Sequence, residues 1–341
     1  MAAREALSQI WPAFALVGGL LLIGAAAARE GVFAAAGAAA ARLRGPPVVL
    51  LAALLLLEAA VTAVLNLDTA VVFLTPVLLQ AARRRGIDEA PFLYGAIFMA
   101  NAASLLLPGS NLTNLIVLAD EHVSGSKLAA RVAPAWFLSV ALTIAFVAFA
   151  FRGELARATT HDSERLRLRP RAGAAGVVAA SVLVLVLADP ALPVLGVGLA
   201  VALLGRLGFR GTVEAANPLL LVGLLAVAVG LGALARATSV GTLVTHTSRW
   251  ATAWIAVLAA VLVNNLPAAA LLAAHPLEHP RALLLGLDLG PNLAVTGSLS
   301  ALLWLRIARR EGARPSALRY TLLGLVLVPL TLSASLLVNA V

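Results

Sequence analysis

Asn66-Leu67-Asp68-Thr69 and Asn264-Asn265-Leu266-Pro267 each interrupt a long hydrophobic run, and each is followed by a second polar interruption. After the first comes Gly109-Ser110-Asn111-Leu112-Thr113-Asn114. After the second come Gly290-Pro291-Asn292 and Thr296-Gly297-Ser298-Leu299-Ser300. Carboxamides, hydroxyls and irregular backbone at bilayer depth are tolerated where they line a cavity or bind something. Interrupted hydrophobic segments at corresponding places in two halves of a chain point to the central site of a secondary transporter.

The bulk numbers agree with that depth. Of 341 residues, 61% are hydrophobic and 12% charged, and mean hydropathy is +0.98. Soluble domains are about half apolar and a quarter charged, so the chain reads as an integral membrane protein. Long Leu-, Ala- and Val-rich runs without apolar/polar alternation favour helices over an outer-membrane barrel. The net charge of +9 fits Arg in cytoplasmic loops better than nucleic acid, because no lysine-rich tail or aromatic-spaced basic stretch accompanies it. The absence of cysteine excludes disulfides, thiolate metal sites and Cys nucleophiles. The first apolar segment lacks a convincing cleavage pattern and reads as a retained span.

A helix needs roughly 20 apolar residues to cross a bilayer. Full spans are expected at about 11–28, 92–120, 127–151, 172–188, 192–207, 217–235, 282–305 and 318–338. The stretches at about 48–82 and 250–275 carry Asn clusters in their middles and read as re-entrant hairpins with tips near the midplane. The segments 92–120 and 282–305 should break at Ser104-to-Asn111 and Gly290-to-Ser298, where Pro108-Gly109 and Gly290-Pro291 disturb the helix.

The expected fold is therefore an all-α polytopic membrane protein, an inverted-repeat transporter with two re-entrant hairpins and two broken helices. The first repeat covers 1–151, a basic cytoplasmic loop 152–171, and a second repeat with two extra helices 172–341. Each unit runs span, short connecting helix, hairpin, broken helix, final span. Val17-Gly18 pairs with Val222-Gly223, Asn66-Leu67 with Asn265-Leu266, and Gly109-Ser110 with Gly297-Ser298. No counterpart of 172–207 precedes the first unit, so two N-terminal scaffold helices are expected to be lacking.

Charge tests this layout. With both termini outside, 19 basic residues face the cytoplasm and 6 the exterior, together the 25 of the chain. That bias supports the orientation and the hairpins, which then enter from opposite faces of the cytoplasmic (inner) membrane.

Helix N-termini at the breaks suit oxyanions, while opposing carbonyls and Asn or Ser oxygens suit small cations or hydroxylated solutes. The candidate solute- and ion-binding residues are Asn66, Asp68 and Thr69 at the first tip and Asn264 and Asn265 at the second. Ser104, Ser110, Asn111 and Asn114 come from the first break, and Asp288, Asn292, Thr296, Ser298 and Ser300 from the second. Asp68 and Asp288 are the candidates for coupling to H+ or Na+, as intramembrane carboxylates. Glu58, within a hairpin leg, is read equally as a coupling group or a packing residue. The histidines fall in loops or segment ends without zinc spacing, and no nucleotide-binding or hydrolase motif occurs, so no metal, cofactor or enzymatic role is expected.

The stretch Gly286-Leu287-Asp288-Leu289-Gly290-Pro291-Asn292, continuing from Thr296 to Leu305, resembles the second broken helix of the arsenite/antimonite efflux permease family of the ion transporter superfamily. Asn264-Asn265-Leu266-Pro267 resembles that family's second tip, and Asn66-Leu67-Asp68-Thr69 with Leu74-Thr75-Pro76 its first. Ala103-Ser104 through Asn114 resembles its first broken helix. The resemblance implies an inner-membrane permease expelling arsenite or antimonite on the proton gradient, sometimes with a separate ATPase. Those permeases commonly carry an acidic residue where Asn101 stands, some carry a basic one where Asn292 stands, and they usually have two more N-terminal helices. The alternatives are a sodium- or proton-coupled dicarboxylate-like anion carrier, against which the lack of a basic residue in the site set counts, and a channel or non-transporting membrane subunit. A homodimer is the expected assembly, covering the surface that missing scaffold helices would expose.

Overall fold

The computed structural model describes residues 2–43, 45–119, 121, 124–157, 172–205, 207–238 and 242–338. Most of the expected basic loop falls outside the described residues, with Arg165, Arg167, Arg169 and Arg171; Arg44, Arg206, His122 and His161 do too. No strand occurs among the described residues. The all-helical membrane fold is as the composition required.

The first half runs α1 (Ala2–Arg29), α2 (Val32–Ala41), α3 (Pro47–Val64), α4 (Leu67–Arg84), α5 (Ala90–Ala103), α6 (Leu112–Val117), α7 (Gly125–Ala150) and α8 (Arg152–Ala156). The second runs α9 (Ala172–Val186), α10 (Ala191–Leu204), α11 (Gly208–Ala216), α12 (Pro218–Ala237), α13 (Arg249–Val263), α14 (Asn265–Leu272), α15 (Pro280–Leu289), α16 (Leu299–Arg310) and α17 (Ala317–Val338). Five segments are long and apolar enough to cross a membrane: 6–29, α3, α7, 208–237 and α17.

Both hairpins form, and side chains close their bases. The chain reverses at Leu65-Asn66, and α4 returns along α3 until Arg85 donates to the carbonyl of Ala41 at 2.9 Å, just ahead of α3. At the second hairpin His246, before α13, meets Glu278, after α14, at 3.1 Å. The two are unequal. Legs of 18 and 18 residues form the first, against 15 and 8 in the second. At 1.5 Å per residue that is about 27 Å against about 12 Å for the returning legs. The connecting helix expected in both halves occurs as α2 in the first; residues 242–247 of the second form turns instead.

Both broken helices also form where Pro and Gly predict. Between α5 and α6 the chain passes through a 3-10 turn at Pro108–Ser110. Between α15 and α16 it passes through 3-10 turns at Gly290–Leu293 and Val295–Gly297.

The halves interlock. α16 packs on α4, α17 on α7, and α1 on both α10 and α12. Close approach of α1 and α10 depends on glycines, since a Cβ on Gly19 would lie 2.7 Å from the Val194 carbonyl and one on Gly198 2.6 Å from that of Gly19. Small residues at such crossings let membrane helices gain contact that hydrophobicity cannot supply in lipid. At one end a ring cluster ties the halves together. Tyr94, stacked on Phe151, packs at a tilt against Trp304, Phe98 does so against Tyr320, and Trp304 Nε1 donates to the Leu93 carbonyl at 2.8 Å.

Candidate functional site

Four helices start in the interior of the bundle, and each start is capped by a side chain that the sequence singles out. Asn66 Oδ1 accepts from Thr69 N at 2.6 Å at α4, and Asn111 Oδ1 from Thr113 N at 3.3 Å at α6. Asn264 Oδ1 accepts from Leu266 N at 3.4 Å at α14, and Ser298 Oγ from Ala301 N at 3.1 Å at α16. Capping satisfies one of the free N–H groups and leaves others, with the positive end of the helix dipole, facing the interior.

By capping position, Asn66 is equivalent to Asn264 and Asn111 to Ser298, one residue off the pairing of Asn66 with Asn265 and of Ser110 with Ser298. On this register Thr113 matches Ser300, each two residues past its cap. Asn101 matches Asp288, each ten residues before it.

The register exposes a reciprocal arrangement. Asp288 Oδ1 accepts from Asn111 Nδ2 at 2.7 Å and from Thr113 Oγ1 at 3.1 Å, so the second half's carboxylate faces the start of α6 in the first. Ser300 Oγ donates to Asp68 Oδ1, so the first half's carboxylate faces the start of α16 in the second. Asp68 also occupies the first turn of α4. Each aspartate is thus held by a helix N-terminus of the opposite half, and the equivalent hydroxyl makes the bond.

The remaining candidates divide into two groups. Around the first break, Ser110 Oγ and Asn114 Nδ2 both donate to the Ser104 carbonyl, the latter at 2.6 Å, and Ser104 Oγ donates to the Asn101 carbonyl at 2.9 Å. Asn101 Nδ2 continues to Asn292 Oδ1 at 2.8 Å, and Asn292 Nδ2 to the Phe98 carbonyl at 3.1 Å. Asn292 therefore joins the first break to the second. At the other tip Asn264 Nδ2 donates to the Thr296 carbonyl at 3.2 Å, and Thr296 Oγ1 to the Val261 carbonyl at 3.2 Å. Thr296 is exposed, and Asn265 is buried at the start of α14, outside the contacts of either aspartate. Thr69 is fully buried beside α1, close to Gly24.

Thr113 and Asn101 join the site without having been among the residues that the sequence nominates. Thr113 follows an Asn cap by two residues, a signal present in the sequence. Nothing local marks the link from Asn101 to a residue 191 positions away.

A cavity of about 380 Å³ opens on the Asp68–Ser300 side of the site. Asp68 and Thr69, with Leu21, Phe73, Leu112 and Leu299, form its inner wall; Glu214 and Asn217, from the α11–α12 joint, stand at the other. Among the described residues its lining carries two carboxylates and no basic side chain. Its size suits a small polar solute. Among the described residues no group of three His, Asp or Glu could hold a metal ion.

Three comparisons bear on what this site serves. Over its full length the chain superimposes on the crystal structure of the Alcanivorax borkumensis YdaH transporter, with a TM-score of 0.66 and 15% identity, covering 87% of that chain. At that identity the likeness shows the fold alone. A 46 kDa membrane protein of Mycobacterium leprae (strain TN) is 24% identical over an alignment of 312 residues that covers 80% of this chain and 72% of the relative. Residues 3–288 match the CitMHS family, described as citrate transporters, and the match stops where the arsenite-permease resemblance of Asp288–Leu305 begins. The multi-pass helical bundle and this match over most of its length place the chain in the CitMHS citrate-transporter family of membrane transporters, within the wider superfamily that its tips and breaks resembled.

Proposed function

We propose that the chain is a proton-coupled carrier of a citrate-like carboxylate, with Asp68 and Asp288 binding the coupling protons. The placement of Asp68 carries this reading: the residue lies where α4 and α16 both begin, at the edge of the cavity. A helix N-terminus is a ready anion site. While Asp68 is ionised, its own charge holds that site. A proton on Asp68 removes the competing charge and leaves the N–H groups of α16 to a solute carboxylate. Proton and anion then favour each other's binding, as linkage requires. Asp288 stands in the same relation to α6.

The matched positions Thr113 and Ser300, and Asn101 and Asp288, support the inverted-repeat reading. The arginine bias supports a cytoplasmic membrane with both termini outside. One observation favours a second reading, efflux of a neutral hydroxylated solute of the arsenite type: among the described residues the cavity lining has no basic side chain.

Uptake into everted vesicles, with and without a proton gradient, separates the two. Gradient-dependent movement of citrate is expected, and sulfate should be a poor competitor. Movement of arsenite and antimonite without citrate would transfer the assignment to the second reading. Movement of none of them would sink both.

A further inference from the structure

Glu58 belongs to none of the contacts above. It lies mid-way along α3, fully buried, and neither of its carboxylate oxygens has a hydrogen-bond partner among the described residues. One helical turn on, Thr62 is also fully buried with a free Oγ1. Another four residues on, at the tip, Asn66 has a free Nδ2, and Thr69 beyond it a free Oγ1. Spacing of four keeps 58 and 62 on one face of α3, about 6 Å apart along its axis, with Thr62 the nearer to the tip. Thr69 and Asp68 line the cavity. Unsatisfied polar atoms therefore recur at Glu58, Thr62, Asn66 and Thr69, from within α3 to the tip residues that reach the cavity.

Several buried hydroxyls elsewhere are satisfied within their own helix, although Thr75 Oγ1, Asn101 Oδ1, Asn114 Oδ1, His275 Nε2 and Asp288 Oδ2 also lack a partner among the described residues. Thr143 Oγ1 donates to the Ser139 carbonyl at 2.7 Å, Ser139 Oγ to that of Ala135 at 2.8 Å, Thr331 Oγ1 to that of Leu327 at 2.8 Å, and Ser181 Oγ to that of Val177 at 2.6 Å. Thr62 has the equivalent carbonyl, that of Glu58, within its own helix and does not use it. Buried polar groups left free by protein are where ordered water resides.

The helices packed on α3 leave Glu58 without an ionic partner. Neither α2 nor α9 carries a titratable side chain, and α5 carries Tyr94 alone. Asp68 of α4 is at the tip, and Arg83 and Arg84 are at the far end of that helix. Lys127 and Arg131 stand in the first turns of α7, and Arg152 and Glu154 on α8 beyond its end.

We infer that Glu58 is a proton-carrying residue, exchanging its proton with the tip through water that the free groups of Thr62 and Asn66 hydrogen-bond. The inference rests on the carrier reading for its role in coupling. The step is a plain protonation: the carboxylate takes up one proton to become the neutral acid, and returns it to water at the tip. Loss of that proton leaves a bare charge in an apolar bundle, so exchange accompanies hydration or movement of the hairpin. Glu58 thereby links the hairpin's position to its protonation, while Asp68 and Asp288 link protons to solute.

Infrared difference spectra of the full chain in nanodiscs, between acidic and alkaline buffer, read this without any solute. Beside the bands of Asp68, Asp288 and the surface carboxyls, one titrating carboxyl C=O component is expected in the wild type that is lost in Glu58→Gln and displaced in Thr62→Val. In proteoliposomes the ratio of gradient-driven accumulation to equal-pH exchange of labelled citrate should fall at least tenfold in Glu58→Gln. A carboxyl C=O region that is the same in the wild type and Glu58→Gln, or an unchanged ratio, overturns the inference. Should Glu58→Gln not fold, Glu58→Asp must shift the band and Thr62→Val must displace it; an unaltered band in both has the same force. A wild type that moves no labelled citrate defeats the citrate reading, and the infrared result then decides the protonation of Glu58 by itself.

Discussion

Asn111 and Asp288, separated by 177 residues, meet at 2.7 Å through a carboxamide N–H on one half and a carboxylate on the other. The bond makes the start of α6 and the end of α15 a single unit. Hydrogen bonds to charged groups contribute about 1.5–3 kcal/mol, and a buried acceptor left without its donor costs a similar amount. Asn111→Ala should therefore lower unfolding stability in detergent by about 1–3 kcal/mol. Asp288→Asn keeps the shape and loses the charge. The double-mutant cycle should show a coupling of about 1 kcal/mol or more. Additive single effects would mean that the contact contributes nothing.

Asn264 is the tip residue whose backbone and side chain pull in different directions. Its φ of +78° and ψ of 149° lie in a region open mainly to glycine, while its side chain caps α14 and reaches the Thr296 carbonyl. Such strain costs of order 1–3 kcal/mol and is characteristic of functional sites. Asn264→Gly should hold or raise stability while weakening transport. Asn264→Ala should lose both, because it keeps the strain without the cap. Equal stability of the two variants would show that the dihedral carries no penalty.

How much of this was legible in the sequence depends on what each feature rests on. Tips and breaks were readable because carboxamides, Pro and Gly inside an apolar run are costly in a bilayer unless they end a helix or line a cavity. Their register was not. Asn264-Asn265 and Ser110-Asn111 each offer two adjacent capping residues, and only the backbone decides which one caps. The partnership of Asn101 with Asn292 depends on how α5 meets the second break, which no local pattern encodes. Glu58 was visible as a carboxylate in a hairpin leg, but its isolation is a property of the packed neighbours.

Gly324 of α17 sets the position of the second break. A Cβ there would fall 2.0 Å from the carbonyl oxygen of Asn292, a backbone atom that cannot turn aside. Gly324→Ala must push the turn at Gly290–Leu293 away from α17, disturbing Asn292 and its bond to Asn101. Overpacking of this kind costs about 1–3 kcal/mol. Gly223 of α12 is the control, with open space at its Cβ, and Ala there should be neutral or stabilising. We expect thermal unfolding and transport to drop in Gly324→Ala and to persist in Gly223→Ala. Indistinguishable variants would count against close packing at the break.

Glu154, on α8 outside the membrane-spanning segments, gives a pH dependence through Arg319 in the first turn of α17. Arg319 Nη2 lies 2.7 Å from Glu154 Oε1, and its guanidinium also stacks 4.6 Å over Phe151. Partial burial alone would push the Glu154 carboxyl up. The hydrogen bond from Arg319, a backbone contact and the charges of Arg319 and Arg157 outweigh it, and the group is held below its ordinary value. A lowered folded-state value means that the stability is present above the unfolded value, about pH 4, and disappears as pH falls through the folded one. The pair is partly exposed, so this limb is worth under about 1 kcal/mol. Glu154→Gln should flatten that acid limb relative to the wild type and leave the profile from neutral to alkaline pH alone. Arg319→Ala should cost more than Glu154→Gln at neutral pH, since it also loses the ring contact. Parallel acid limbs in the wild type and Glu154→Gln would show that the pair does not respond to pH.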